Sequence, residues 1–404
     1  SFCTLFVIGC STANPGSLNF PISDNGRFSS NKFLNHNLKL RGGGVLWVGG
    51  GVQYNKTETG PEAEHDTFTV LRNRKEALSG ISALRKKFGS KYRTNELVKL
   101  ELESKYVMMA QRMLRTLSLS VDYNAANSFQ LYAVGELKLE QHRIGIMYGR
   151  VVDHHAFCDV IYEPPQDGDA DGYNLKNDTA SVEERLRADR LASLLGLRPV
   201  GIIFTAQTRK CIFSSRDVFT LCRFQQEVED AMGFDVARSC VAAVITRNET
   251  TNTVGFEAYQ ISDLCRDMYR SGIFEEPAKH NKAHSKTKED VRVEGLDARK
   301  VDNDFFICAV PIKSHKLPLF DNRQAEFSVE NRPHSTQNAL EVKHILKCHE
   351  LLPMSQRISD FHMLLYLSRF LHPVKDMPVL CKAVLERGLL SDAHLALINS
   401  LSQL

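Results

Sequence analysis

The chain has 404 residues, a length that accommodates about two or three domains, each able to bury its own core. Its composition, 43% apolar and 25% charged, is that of an ordinary globular protein, and 51 basic against 48 acidic residues leave a net charge of +3, too near balance to argue for nucleic acid or an anionic membrane as a partner. The ten cysteines contain no C-x-x-C pair and suggest neither a zinc ribbon nor a disulfide framework, only free and mostly buried thiols, and no apolar run approaches the roughly 20 residues of a membrane span.

In chain order, residues 1 to about 60 are rich in Gly, Asn and Ser, and only Val45 to Val48 reads as a strand. Phe2 to Cys10 is apolar but has no basic stretch before it, which argues against a signal peptide. Arg85, Lys86 and Lys87 with Lys91 and Arg93 read as a solvated basic face, and Thr94 to Leu117 as helical or mixed. Asp122 is placed to cap a helix whose apolar positions Ala126, Phe129, Ala133 and Leu137 keep a helical period. Ile144 to Val152 and Asp159 to Tyr162 are strand-like, with Asp153, His154 and His155 opening a polar turn between them. The paired histidines with Cys158 are a rival metal reading of that turn.

Glu163 to Asp178 is an acidic, glycine-bearing loop; Ser181-Val-Glu-Glu184 has the spacing of a capping box, and its helix runs to Gly196. Val200 to Thr205 is an apolar strand, and Ser214 opens a helix with a stripe of Val218, Leu221, Cys222 and Val228. Val241 to Thr246 and Val254 to Tyr259 form a hairpin. This alternation predicts one α/β domain over about 120–275. Residues 276–300 are charged and poor in apolar residues, the texture of a linker. Beyond them Phe305 to Ile312 and Glu326 to Val329 are strand-like, followed by helices at Leu340 to Leu352, Ile358 to Leu371 and two short ones after Met377.

The stretch from Arg198 to Asp217 carries the most chemistry. Ser214-x-x-Asp217 ahead of an apolar run is an ordinary helix start, the hydroxyl accepting from an early N–H and the carboxylate sitting at the positive end of the helix. It also resembles the JAMM/MPN metalloproteases, which place H-x-H, seven residues and then S-x-x-D in this strand–loop–helix context. Here Phe204 and Ala206 stand at the histidine positions, with Ser214 and Asp217 at the other two. The catalytic glutamate of that family precedes a strand G-h-h-h-G by three residues. This chain has Gly145 to Gly149 with His142 in its place. Zinc catalysis needs nitrogen and carboxylate ligands, an open position for water and a base to take its proton. Phenylalanine and alanine ligate nothing.

More specifically, YGRVVD (148–153), IYEPPQ (161–166), LGLRPVGIIFT (195–205), FEAYQIS (256–262), VDNDFF (301–306), FSVENR (327–332) and ISDFHMLL (358–365) resemble the nuclear protein localization protein 4 family, over roughly Thr94 to the C-terminus. Ile202 stands where the family commonly has tryptophan. The cysteine zinc-finger loops of longer members find no match, as in the short, zinc-free members. Of the ubiquitin-like domain with which the family opens, only Leu38 to Gln53 resembles the last strand.

The resemblance implies an α/β fold: residues 1–93 a poorly defined segment with the remnant of a ubiquitin-like domain; 94–275 an inactive MPN domain, a mixed sheet flanked by helices; 276–300 a charged linker; and 301–404 an α+β domain rich in helices. A lone strand cannot close a sheet, so residues 1 to about 60 are expected to be mobile. It further implies a non-catalytic adaptor with no metal and no cofactor. Its partners would be polyubiquitin, ubiquitin fusion degradation protein 1 and the hexameric valosin-containing AAA ATPase, with no nucleic acid and no membrane insertion. The location would be nucleus and cytoplasm, peripheral to the endoplasmic reticulum through partners. Tyr162, Glu163, Pro164, Pro165, Gln166, Phe204, Thr205 and Asp217 are the residues expected to line a ubiquitin groove. The rival readings are a divergent metal-dependent deubiquitinase drawing ligands from His142, His154, His155 or Cys158 with Asp217, and a structural MPN subunit of a large complex.

Overall fold

A computed structural model describes residues 105–402 apart from 170–171, 207–210, 248–253, 278–282, 317–319, 321–325 and 336, and before them 84–87, 89, 91–97 and 100. The expected strand at Val45 to Val48 and the segment Leu38 to Gln53 lie outside the described residues.

In the unit spanning Lys105–Leu404 the elements run as follows. After β1 (Val107–Met108) and β2 (Ser118–Asp122) comes α1 (Tyr123–Leu131), capped by Asp122, whose Oδ1 accepts from the backbone N–H of Asn124 and Ala125. A π-helical turn, Tyr132–Glu136, extends it. Then follow β3 (Ile144–Val152), β4 (His155–Tyr162), β5 (Gln166–Gly168), β6 (Tyr173–Leu175), α2 (Thr179–Leu194), β7 (Arg198–Thr205), α3 (Ser215–Met232), α4 (Phe234–Ala237), β8 (Val241–Arg247), β9 (Val254–Ile261) and α5 (Asp263–Arg270). The chain continues through β10 (His284–Val293), β11 (Leu296–Asp302), a 3-10 turn at Asn303–Phe306, β12 (Ile307–Val310) and β13 (Ile312–His315). It ends in α6 (Ala339–Cys348), α7 (Met354–Arg357), α8 (Phe361–Leu367), α9 (Met377–Glu386) and α10 (Asp392–Leu401). The fold is mixed α/β. No helix among the described residues is long and apolar enough to cross a membrane.

Eight strands form the main sheet in the order β12-β9-β8-β7-β3-β4-β2-β13. Its two edge strands are consecutive in the chain with Pro311 alone between them, so the sheet curls until its edges meet, and the Leu119 N–H bonds to the Pro311 carbonyl there. Among the described residues the two edge strands of this sheet are short, four residues each. The inner face carries Leu119, Val121, Met147, Ala156, Cys158, Val241, Ala243, Ile245 and Ala258, against Ala126 and Phe129 of α1. One outer face packs on α3, α5 and the β10–β11 hairpin, the other on α2 and the C-terminal helices. β8 is therefore covered on both faces, which is why Val241 to Ile245 is uninterruptedly apolar. Val200 is a bulge residue opposite β3: the register jumps there, so Ile202 and Phe204 face outward and Ile203 inward.

The structure differs from expectation at several places. β4 starts at His155, because Asp153 and His154 both take positive φ (49° and 64°) and form a two-residue turn. Asp178, not Ser181, caps α2: its Oδ1 accepts from the Ser181 N–H at 3.0 Å, and the Ser181 hydroxyl merely donates to the same carboxylate. The loop after Tyr162 contains the β5–β6 hairpin. Much of the expected linker 276–300 is the strand β10 and the start of β11, which with β1 make a second sheet. Glu326 to Val329 is not a strand; the Ser328 N–H and hydroxyl both bond to Glu341 Oε1 instead.

Candidate functional site

The strand β7 and the start of α3 bring the metalloprotease-like positions together. Ser214 caps α3 in a full box: its backbone N–H and hydroxyl both donate to Asp217 Oδ2, at 2.8 and 2.7 Å, while the Asp217 N–H donates to Ser214 Oγ at 3.3 Å. The Phe204 ring packs on Phe213 at 5.5 Å and on Tyr173 at 6.0 Å, and Phe213 packs edge-on to Tyr259 at 5.4 Å. All four rings are buried. Asn303 Nδ2 donates to the Phe213 carbonyl, and the Ser285 hydroxyl donates to Asn303 Oδ1, so the VDNDFF stretch props the ring stack from the β10–β11 side. Ala206 is buried beside it, its N–H on the Ile245 carbonyl. An aromatic stack and a methyl group thus fill the interior beside the Ser214–Asp217 cap, and none of these side chains brings a nitrogen or carboxylate to it.

The remaining candidate ligands are not gathered there. His142 is buried, its N–H donated to the Asp169 carbonyl. His154 is exposed in the β3–β4 turn, His155 pairs through Nδ1 with the Ser118 hydroxyl at 2.7 Å, and the Cys158 thiol points to the Val160 carbonyl. Among the described residues no three His, Cys, Asp or Glu side chains converge as a metal site would need. Burial pushes the thiols of Cys240 and Cys381 up to about 12 and that of Cys308 to about 11, so thiolate chemistry is remote from these positions.

The residues expected to line a groove are brought together, but as interior. Tyr162, Glu163, Pro164, Gln166, Phe204, Thr205 and Asp217 are buried, and Pro165 is half-buried. An open groove cannot present side chains that the fold has packed inside it. Gln166 acts as a strand extension: it accepts from the Ile144 N–H at 2.8 Å and donates to the Ile144 and Pro164 carbonyls at 2.6 and 3.0 Å. Thr205 Oγ1 accepts from the Arg143 N–H.

Glu163 lies at the centre of a buried charge cluster. Its Oε2 accepts from Arg143 Nε at 2.6 Å, and its Oε1 from Arg332 Nε and Nη2 at 2.9 and 2.5 Å. The Arg332 guanidinium lies 4.2 Å over the Tyr132 ring, a stacked cation. Asn331 donates to the Glu163 carbonyl and to Glu184, and Glu330 accepts from the Glu163 N–H while its other oxygen pairs with His362 Nδ1 at 2.7 Å. Burial alone would lower the His362 pKa, yet the adjacent Glu330 carboxylate raises it. Burial likewise works to raise Glu330, and the His362 charge outweighs it and lowers the acid.

The motifs IYEPPQ, FSVENR and ISDFH therefore meet at one point, where the C-terminal helices are fastened to the sheet. Arg143, Glu330, Arg332 and His362 are missed by sequence reasoning, because each alone has the profile of a surface residue. The signal available for Glu330, Arg332 and His362 was their membership in those motifs; Arg143 lies outside them, just ahead of the Gly145 to Gly149 strand.

A protein-family model described as the NPL4 family matches residues 143–293, which hold Glu163, the ring stack and β10. The chain is 32% identical over 294 residues to an NPL4-like protein of Oryza sativa subsp. japonica, covering 70% of this chain and 68% of that protein. It is 35% identical over 297 residues to NPL4-like protein 1 of Arabidopsis thaliana, with the same two coverages. Similarity to the nuclear protein localization protein 4 homolog of Homo sapiens is 27% over 299 residues, 62% of this chain and 48% of that one.

Proposed function

The chain belongs to the NPL4 family, and from that premise we propose that it is a non-catalytic adaptor that binds ubiquitin chains. With ubiquitin fusion degradation protein 1 it hands polyubiquitinated proteins to the hexameric valosin-containing AAA ATPase for unfolding and proteasomal degradation. It would act in the nucleus and cytoplasm, and at the endoplasmic reticulum through those partners. The closed sheet serves as an MPN framework that has lost its chemistry. One observation supports this above the others: Phe204, stacked on Phe213 and Tyr173, fills the position of a metal ligand with a side chain that has no donor atom.

In this reading the ubiquitin-contacting surface runs along Pro165 and the exposed Asp167 and Asp169. The buried Tyr162, Glu163, Pro164, Gln166, Phe204, Thr205 and Asp217 fix its shape from beneath. Incubating the purified chain with diubiquitin, with and without added zinc, tests the reading. Binding without cleavage is expected, together with metal content far below one equivalent. Zinc-dependent cleavage would overturn it in favour of a divergent deubiquitinase.

A further inference from the structure

Away from the ring stack, α2 and residues 368–377 enclose a cleft of about 410 Å3, within the range of about 300–1,000 Å3 usual for ligand sites. Leu191, Leu194, Leu371 and Met377 make its apolar floor, and Arg187, Arg190 and Arg369 stand at its mouth with one acidic residue, Glu183. Leu186 is 47% exposed at that mouth, and Phe370 and Val374 are 51% and 76% exposed beside it. The arginines differ in how they are held. Arg369 lies 3.7 Å from Glu184 and over the Tyr366 ring, and Arg185 of α2 is tied to the Lys176 carbonyl and Asn177. Arg187 and Arg190, one helical turn apart and half-buried and exposed respectively, make no hydrogen bond or ion pair among the described residues.

We propose that this cleft docks a short acidic-apolar segment of a partner protein, with leucine-like side chains on the floor and carboxylates meeting Arg187 and Arg190. An apolar floor under a cationic mouth complements a segment carrying both features, and the two unpaired guanidiniums supply charge-assisted hydrogen bonds at its rim. A nucleic acid fits less well, since the lining offers no aromatic ring for a base to stack on. The residues that line the cleft are not those of the proposed ubiquitin-contacting surface, and the proposal does not depend on the adaptor reading.

The probe is a fluorescein-labelled synthetic peptide of about 14 residues, leucines at helical spacing and aspartates or glutamates between them, titrated against the full chain by fluorescence anisotropy. Saturable binding is expected, falling with salt from about 50 to about 300 mM, and weakened about tenfold or more in the Arg187→Glu, Arg190→Glu double variant. Leu186→Ser is expected to weaken it as well, and Arg187→Gln with Arg190→Gln repeats the charge test should the reversal disturb folding. Thermal melting verifies that each variant is folded. Equal binding of a peptide with lysine at every acidic position, unchanged affinity in both arginine variants, or no binding at about 1 mM chain would overturn the proposal. So would self-association of the chain that the double variant abolishes, which assigns the cleft to a second copy. Diubiquitin binding is expected to be the same in the double variant; its loss would give the cleft to ubiquitin instead.

Discussion

Ser214 and Asp217 have the spacing of metal ligands in the sequence, yet the hydrogen bonds between them are those of a helix start. Ser214→Ala should lower stability in urea unfolding by about 1 kcal/mol, and diubiquitin affinity of the folded variant should not change. A loss of affinity at unchanged stability would give the pair a direct role. Glu163 is a different case, because its carboxylate is the shared counter-charge of Arg143 and Arg332. Glu163→Gln leaves two guanidiniums without it in a buried site and should cost about 3–5 kcal/mol, so substituting Glu163 together with Phe204 probes folding rather than a binding surface. The Glu330–His362 pair sets a pH window. With its pKa raised, His362 contributes fully below its ordinary value of 6.5 and progressively less as pH rises through the raised one. With its pKa lowered, Glu330 contributes fully above its ordinary 4.5 and less as pH falls through the lowered one. The stability difference between the wild type and the Glu330→Gln, His362→Gln double variant should therefore be largest between these values and shrink on both sides; a difference independent of pH would mean the pair is not ionised in the fold.

At the scale of elements, the sheet depends on close backbone approach in β3. A Cβ at Gly149 would lie 1.7 Å from the Phe157 carbonyl oxygen, a backbone atom of the neighbouring strand beside the register shift at Tyr148. A Cβ at Gly145 meets the Cγ2 methyls of Ile161 at 2.8 Å and Ile203 at 3.0 Å, side-chain atoms that can give more readily than backbone. Gly149→Ala should accordingly destabilise by more than about 3 kcal/mol and Gly145→Ala by about 1–2 kcal/mol, as read by thermal unfolding. Equal effects at the two positions would argue against the bulge. The β10–β11 hairpin has a structural duty of the same kind. Through Asn303 and Ser285 it holds the Phe213 carbonyl, so the segment with a linker's composition supports the aromatic stack.

Over the whole molecule, one apolar cluster joins Tyr148, Val160 and Tyr162 of the sheet, Leu191 and Leu195 at the end of α2, and Phe361, Leu364, Leu380 and Ile398 of the C-terminal helices. The Glu163–Arg332 and Glu330–His362 contacts cross the same boundary. The helices should therefore unfold with the sheet. Native-state hydrogen exchange is expected to assign similar opening free energies to the buried amides of Ile161 and Leu364; markedly easier opening at Leu364 would show that the helices are a separate folding unit.

Local pattern was enough for β3, for the β8–β9 hairpin, for the Asp122 and Ser214 caps and for the family, since each depends on residues close together in the chain. It was also enough to rule out Phe204 and Ala206 as metal ligands, because neither side chain has a donor atom in any fold. The β10–β11 hairpin was not legible: His284 to Asp302 is mostly charged and half-exposed, with Val291 and Val301 among its few fully buried side chains, and pairing rather than hydrophobic pattern makes it a strand pair. Nor was the fate of the expected groove. Glu163 meets Arg332 across 169 positions and Glu330 across 167, and a carboxylate's burial depends on which cations the tertiary structure delivers to it. Short-range chemistry is written in neighbouring residues, whereas burial is a property of what packs against a residue, and only the folded chain decides that.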